Sequence, residues 1–181
     1  MDEAIVTWIG EVRRFNRRLH LVSPSLEETL EDQVRHTMEI LASIREPAIA
    51  DLGSGSGFLG IPYKVANPAA SVCLIERSAK KSLFLRHAVQ VLGLKGVQVE
   101  EADPLKKTVG PYPALMSRSF SPRESLVEAV LRTLAPGGRF YYLQTGSPDE
   151  VIHPGITLEE RISKVFGGCT LNLDRYLVTS R

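Results

Sequence analysis

Cysteine is scarce in this chain. Two residues, Cys73 and Cys169, stand far apart in 181, make no disulfide framework and point to a reduced, cytoplasmic setting. Long apolar runs are missing too, and nothing approaches the ~18–20 uninterrupted residues that span a bilayer. The opening Met1-Asp2-Glu3 is acidic where a secretory leader is basic, and no apolar stretch follows it. These absences argue against a helical membrane span and a disulfide-stapled secreted scaffold. No His, Cys or carboxylate group has the spacing of metal ligands, so no metal is expected, and no G-x-S-x-G elbow marks a hydrolase. Charge of one sign is also lacking, with 22 Lys+Arg against 21 Asp+Glu for a net of +1. That balance neither requires nor forbids a nucleic-acid partner.

What is present is a globular mixture, 43% hydrophobic and 24% charged, enough for one domain with its own core. Residues 1–46 read as an N-terminal helical extension and residues 47–181 as an α/β core. Ile5, Trp8, Ile9, Val12 and Phe15 make one apolar stripe of a helix over 3–18. A second helix is expected over 26–44, opened by a capping box at Ser25-Leu26-Glu27-Glu28. After Pro47, strands near 49–52, 72–75, 97–99, 114–116 and 140–143 alternate with helices over 58–66, 79–92 and from Ser121-Pro122-Arg123-Glu124 to Leu134. Pro136-Gly137-Gly138 is expected to turn the chain into the last of these strands. Two more candidates, near 160–166 and 175–180, lack a crossover helix and are expected to pair antiparallel. The pattern predicts an α/β, doubly wound, Rossmann-like sheet of mostly parallel strands, ending in that antiparallel pair.

Ligands of such sheets sit beyond the carboxyl ends of the strands, where strand order reverses. Asp51-Leu52-Gly53-Ser54-Gly55-Ser56-Gly57 lies at such a point, and its alternate glycines allow the backbone to approach a ligand closely. Glu76 closes the next strand, where an acid accepts hydrogen bonds from ribose hydroxyls. Two cofactors compete. Gly55-Ser56-Gly57-Phe58-Leu59-Gly60 spells the dinucleotide fingerprint G-x-G-x-x-G. Counted from Asp51, D-x-G-x-G-x-G resembles the first motif of class I S-adenosylmethionine (SAM) methyltransferases. The second reading is favoured because Asp51 would repel a pyrophosphate yet attract a sulfonium or ammonium. Little chain remains for the substrate domain of a nicotinamide oxidoreductase, and Leu134-Ala135-Pro136-Gly137-Gly138-Arg139-Phe140 resembles the turn and fifth strand of the methyltransferase class.

Several further segments share one pattern. Gly53 to Pro62 is similar to G-x-G-x-G-x-P-G-I-P, with Leu59 in place of its first proline, and ends in Gly60-Ile61-Pro62. Leu74-Ile75-Glu76-Arg77-Ser78-Ala79-Lys80-Lys81 with Phe84-Leu85 is similar to L-L-D-S-x-x-K-R followed by F-L. Ser117-Arg118-Ser119-Phe120, Val34-Arg35-His36 and Phe15-Asn16 are similar to S-R-A-F, V-R-H and F-N. By these segments the chain resembles the glucose-inhibited division protein B family, bacterial methyltransferases of N7 of a guanosine in small-subunit ribosomal RNA. The resemblance implies SAM as cofactor, framed by Asp51, Gly53, Ser54, Gly55, Gly57, Phe58, Glu76, Ala102, Asp103 and Arg118. It implies 16S rRNA or the small ribosomal subunit as partner, with the enzyme a cytoplasmic monomer. The chain departs from the pattern at Asp103 (usually Arg), at Gln144 (usually Lys) and at His20-Leu21-Val22 (usually N-L-T).

Guanine N7 carries a lone pair and no proton, so methyl transfer to it is an in-line displacement that needs no general base, and positioning supplies the rate. Arg118 is the candidate that faces guanine O6 or a phosphate, helped by Arg35 and His36, and Phe120 is a candidate for stacking on a base. Arg13, Arg14, Arg17 and Arg18 on the first helix and Lys80 and Lys81 beside the crevice are candidates for gripping RNA phosphates. Another RNA or a small molecule as acceptor stays open, as does a non-catalytic rRNA-binding assembly factor.

Overall fold

The computed structural model describes residues 1–118 and 123–179. Strands β1 (Ala48–Leu52), β2 (Ser71–Glu76), β3 (Val97–Glu101), β4 (Tyr112–Arg118), β5 (Leu134–Thr145), β6 (Ile156–Phe166) and β7 (Cys169–Val178) form one sheet in the order β3-β2-β1-β4-β5-β7-β6. β1 to β5 pair in parallel, whereas β7 runs antiparallel to both β5 and β6. The expected architecture is therefore present, including the terminal hairpin, whose strands are longer than the sequence suggested. Strand order reverses between β1 and β4.

Helices α1 (Glu3–Leu19), α3 (Leu30–Leu41), α4 (Gly60–Ala66) and α5 (Ala79–Val91) cover one face of the sheet, and α6 (Arg123–Thr133) covers the other. Alternation along the strands divides the core between them. Ile49 and Leu74 pack with Ile5, Trp8 and Val12 of α1. Their neighbours Ala50 and Ile75 point the opposite way, toward Leu126, Ala129 and Val130 of α6. The apolar stripe read in residues 3–18 is thus a face of the central core.

The helix expected over 26–44 is divided. A short α2 (Pro24–Glu28) precedes α3, and the chain breaks at Thr29 (φ −109°, ψ 16°). The cap is Ser23, whose Oγ accepts the Leu26 N–H at 3.3 Å, so Ser25 does not cap. Pro24, with fixed φ and no N–H, suits the first helical position and draws the start forward. Pro136-Gly137-Gly138 does not precede β5 either. Tyr112 pairs with Leu134 and Ala114 with Arg139, which leaves residues 135–138 as an excursion within the strand. Of the cap expected for α6, Ser121 and Pro122 lie outside the described residues, as do Ser119 and Phe120.

Candidate functional site

At the switch point the Ser117 hydroxyl donates to the Leu52 carbonyl (2.9 Å), which ties the carboxyl ends of β4 and β1 together. The glycine loop leaves β1 there and doubles back, with Gly53 and Ser54 N–H groups both donating to the Ile75 carbonyl (3.0 and 2.9 Å). Gly53, Gly55 and Gly57 have φ of 75°, 57° and 80°, a region open to glycine and strained for other residues. Gly60 is required for a different reason: a Cβ there would stand 2.2 Å from Leu74 Cδ2 and 3.1 Å from Asp51 Oδ2. This close approach lets the Gly60 N–H reach Asp51 Oδ2 at 3.0 Å.

Asp51 is buried, and loss of hydration pushes its carboxyl up to about 7, with the Glu76 charge adding to the rise and hydrogen bonds from Gly60 and Ser54 opposing it. Glu76, buried at the tip of β2, accepts the Gly55 N–H through Oε2 (2.9 Å) and the Ser78 N–H through Oε1 (2.8 Å). The acid thereby braces the loop it follows in sequence. A further brace comes from α1, where the fully buried Trp8 donates its indole N–H to the Ser56 carbonyl at 3.0 Å and meets Phe58 edge-on.

A cavity of about 410 Å³ opens beside this loop. Asp51, Gly53, Ser54, Gly55 and Phe58 line one side, with Arg118 and Thr145 at the strand ends. The Arg118 guanidinium lies 4.2 Å over the Phe58 ring, its Nη1 buried without a hydrogen-bond partner among the described residues. Burial lowers its pKa from the usual value, though an arginine in a protein keeps its charge. The opposite side is built from Leu21, Val22, Ser25, Leu26, Thr29 and Gln33. Sequence reasoning did not nominate these residues. The one signal was the departure at positions 20–22, two of which stand in this wall. Asn16 holds the segment in place: its Nδ2 donates to Glu27 Oε2 (2.6 Å) and its Oδ1 accepts the Val22 N–H (2.9 Å).

Other nominated residues lie elsewhere. Gly57 is buried behind the loop against Ile61 and Leu85. Ala102 and Asp103 follow β3, one strand beyond Glu76, where the Ala102 N–H meets the Glu76 carbonyl at 3.1 Å. Asp103 Oδ1 accepts the Leu105 N–H at 3.1 Å. Neither lines the cavity. His36 is stacked on Phe166 of β6 at 4.0 Å, and Arg35 pairs with Asp32 on the outer side of α3, so the structure does not bring them to Arg118. Gln144 turns toward β7, donating to the buried Asp174 at 3.1 Å. On α1, Arg13 pairs with Glu31 (2.8 Å) and Arg14 with Glu11 (3.4 Å). Arg17, Arg18 and Lys80 are exposed and Lys81 half-buried, with no ion pair for them among the described residues. Phe15 against Phe84 and Glu11 against His87 (2.5 Å) dock α1 on α5, which sets these cations on adjoining helices.

The model of the family described as rRNA small subunit methyltransferase G (GidB) matches residues 1–157. The chain belongs to this family. It is 33% identical over 145 residues to the ribosomal RNA small subunit methyltransferase G of Halorhodospira halophila, covering 78% of this chain and 68% of the relative. With the protein of the same name from Alkalilimnicola ehrlichii it shares 28% identity over 171 residues, covering 93% and 74%. A solved structure described as a SAM-dependent methyltransferase from Aquifex aeolicus has the same fold, with a TM-score of 0.63 over 87% of this chain and all of the other at 17% identity. Family membership gives the cavity its context, a methyltransferase crevice at the carboxyl edge of the sheet. The break at Thr29 and the wall it creates lie inside the matched region.

Proposed function

We propose that this protein transfers a methyl group from SAM to N7 of a guanosine in 16S rRNA, acting as a monomer on the small ribosomal subunit in the cytoplasm. The observation that carries this reading is the pairing, across one cavity, of a buried carboxyl, Asp51 beside the glycine loop, and the half-buried Arg118 guanidinium over Phe58, whose Nη1 has no hydrogen-bond partner among the described residues. The residues fit SAM. Asp51 is a desolvated acid that gains by meeting a positive group, and Gly53 and Gly55 present bare backbone toward the same space. Asp51, Gly53, Ser54, Gly55 and Phe58 would hold its methionine part, with Gly57 shaping the loop from behind, and Glu76 its ribose, while Ala102 and Asp103, beyond the cavity at the end of β3, would meet its adenine. When bound, SAM supplies an electrophilic methyl group.

The protein's own task is placement. Arg118 donates to guanine O6, which adjoins N7, and Phe58 supports the guanidinium plane from beneath. No residue needs to take a proton, because N7 has none. Arg17, Arg18, Lys80 and Lys81 grip phosphates, a contribution that weakens as salt rises. Incubation of the protein with labelled SAM and small ribosomal subunits lacking base methylation tests the reading. Incorporation into 16S rRNA is expected. Binding of NAD with no binding of SAM, or label entering only other RNAs, would overturn it.

A further inference from the structure

The wall of the cavity opposite the glycine loop carries polar side chains between Leu21, Val22 and Leu26, and most of these polar groups already have partners. Ser23 Oγ accepts the Leu26 N–H (3.3 Å) and lies 3.2 Å from Ser25 Oγ. Thr29 Oγ1 donates to the Ser25 carbonyl at 3.3 Å. Gln33 is different. It lines the cavity from α3, is half-buried, and among the described residues its side-chain amide has no hydrogen-bond partner. The helix has little freedom to rotate Gln33 away. Leu30, Val34 and Thr37 are buried on one side of α3, and His36 is stacked on Phe166. Gln33 and Arg118 thus border a single space, each with unused hydrogen-bonding capacity.

We infer that Gln33 is a specificity-determining residue that reads the Watson–Crick edge of the acceptor guanine. The inference rests on the reading of the protein as a guanine-N7 methyltransferase. On guanine, N7 and O6 share one edge, while the N1–H and N2–H donors lie on the opposite side of the ring system. A base that presents N7 to the glycine-loop side turns those donors toward the α2–α3 wall. There the Gln33 carbonyl accepts from them while Arg118 donates to O6. Adenine in the same pose offers Arg118 an amino group in place of O6, so that contact is lost, and offers Gln33 an acceptor N1 and no N2 amino group, so the amide must turn over and keeps at most one bond.

The test compares wild type, Gln33→Leu and Gln33→Glu in methyl transfer to small subunits and to an RNA fragment carrying guanosine or inosine, which lacks the N2 amino group, at the target position. Gln33→Leu is expected to lower kcat/KM by roughly 10- to 100-fold while SAM affinity by calorimetry stays at the wild-type value. Gln33→Glu, whose carboxylate still accepts from N–H donors, recovers part of the loss. Wild type prefers guanosine to inosine, and Gln33→Leu loses that preference. Unchanged kinetics and preference in Gln33→Leu, or an equal loss of SAM affinity, would overturn the inference while leaving the methyltransferase reading standing. A wild-type enzyme that methylates no guanosine N7 would overturn both. The guanosine–inosine comparison on wild type needs no variant, so a folding defect in one substitution does not decide the matter.

Discussion

Asp51 makes the stability of the fold and the binding of a cation depend on pH in opposite directions. Its carboxyl, at 3.8 in the unfolded chain, is pushed up to about 7 in the fold, chiefly by desolvation. The native state therefore holds a proton between those values that the unfolded chain has released. The stability this group contributes is complete below about pH 4 and is lost as pH rises through about 7. At about 1.4 kcal/mol per unit of difference, the whole change is on the order of 4 kcal/mol. Asp51→Asn keeps an oxygen for the Gly60 N–H and carries no charge, so it lacks this slope. Urea unfolding of both proteins at pH 5, 6, 7 and 8 should show Asp51→Asn gaining on wild type by about 1.4 kcal/mol per pH unit up to pH 7 and levelling off above it. SAM reverses the sense, because a cation beside the carboxyl favours its ionised form. Wild-type affinity should fall by up to about tenfold per pH unit below 7, while Asp51→Asn binds weakly with no such slope. A stability difference between the two proteins that is the same at pH 5 and pH 8 would refute this account of Asp51.

Four other substitutions separate the parts of the site. Glu76→Ala removes the acceptor of the Gly55 N–H and should cripple SAM affinity in calorimetry, whereas Arg118→Ala should spare that affinity and abolish methyl transfer; intact SAM binding in Glu76→Ala would sink the cofactor assignment. Gly60→Ala forces a methyl against Leu74 and Asp51 and should cost about 1–3 kcal/mol, read as a lower thermal midpoint, together with weaker SAM binding. Trp8→Phe leaves the Ser56 carbonyl without its donor and should cost about 1–3 kcal/mol in urea unfolding. An unchanged urea midpoint would mean that α1 does not brace the glycine loop.

Much of this architecture can be read along the chain because the relevant signals are local. The strand–glycine–helix punctuation around Asp51 and Gly60, the acid at the end of β2 and the absence of a helix before the final hairpin all depend on near neighbours. The break at Thr29 is not local in this sense. Leu26, Leu30 and Val34 continue one helical spacing through it, and only Asn16, reaching Glu27 and Val22 from α1, shows why α2 stands apart. His36 illustrates the same limit, since its place is set by Phe166 on the terminal hairpin. Nor could spacing on α1 distinguish Arg13, matched to Glu31 across two helices, from the exposed Arg17 and Arg18. Motif resemblance marked Arg118, but its seat on Phe58 and its orphaned Nη1 are properties of the packed site.

The atom that receives the methyl group distinguishes this enzyme from other methyltransferases of the same fold. The most direct measurement is digestion of 16S rRNA after reaction of unmethylated small subunits with SAM and this protein, followed by identification of the nucleosides by mass spectrometry and comparison with authentic standards. The account predicts 7-methylguanosine as the new nucleoside, appearing with wild type and absent with Arg118→Ala. Methyl groups found on an exocyclic amine or a ribose hydroxyl instead would contradict it, since both acceptors release a proton that this site has no assigned base to take.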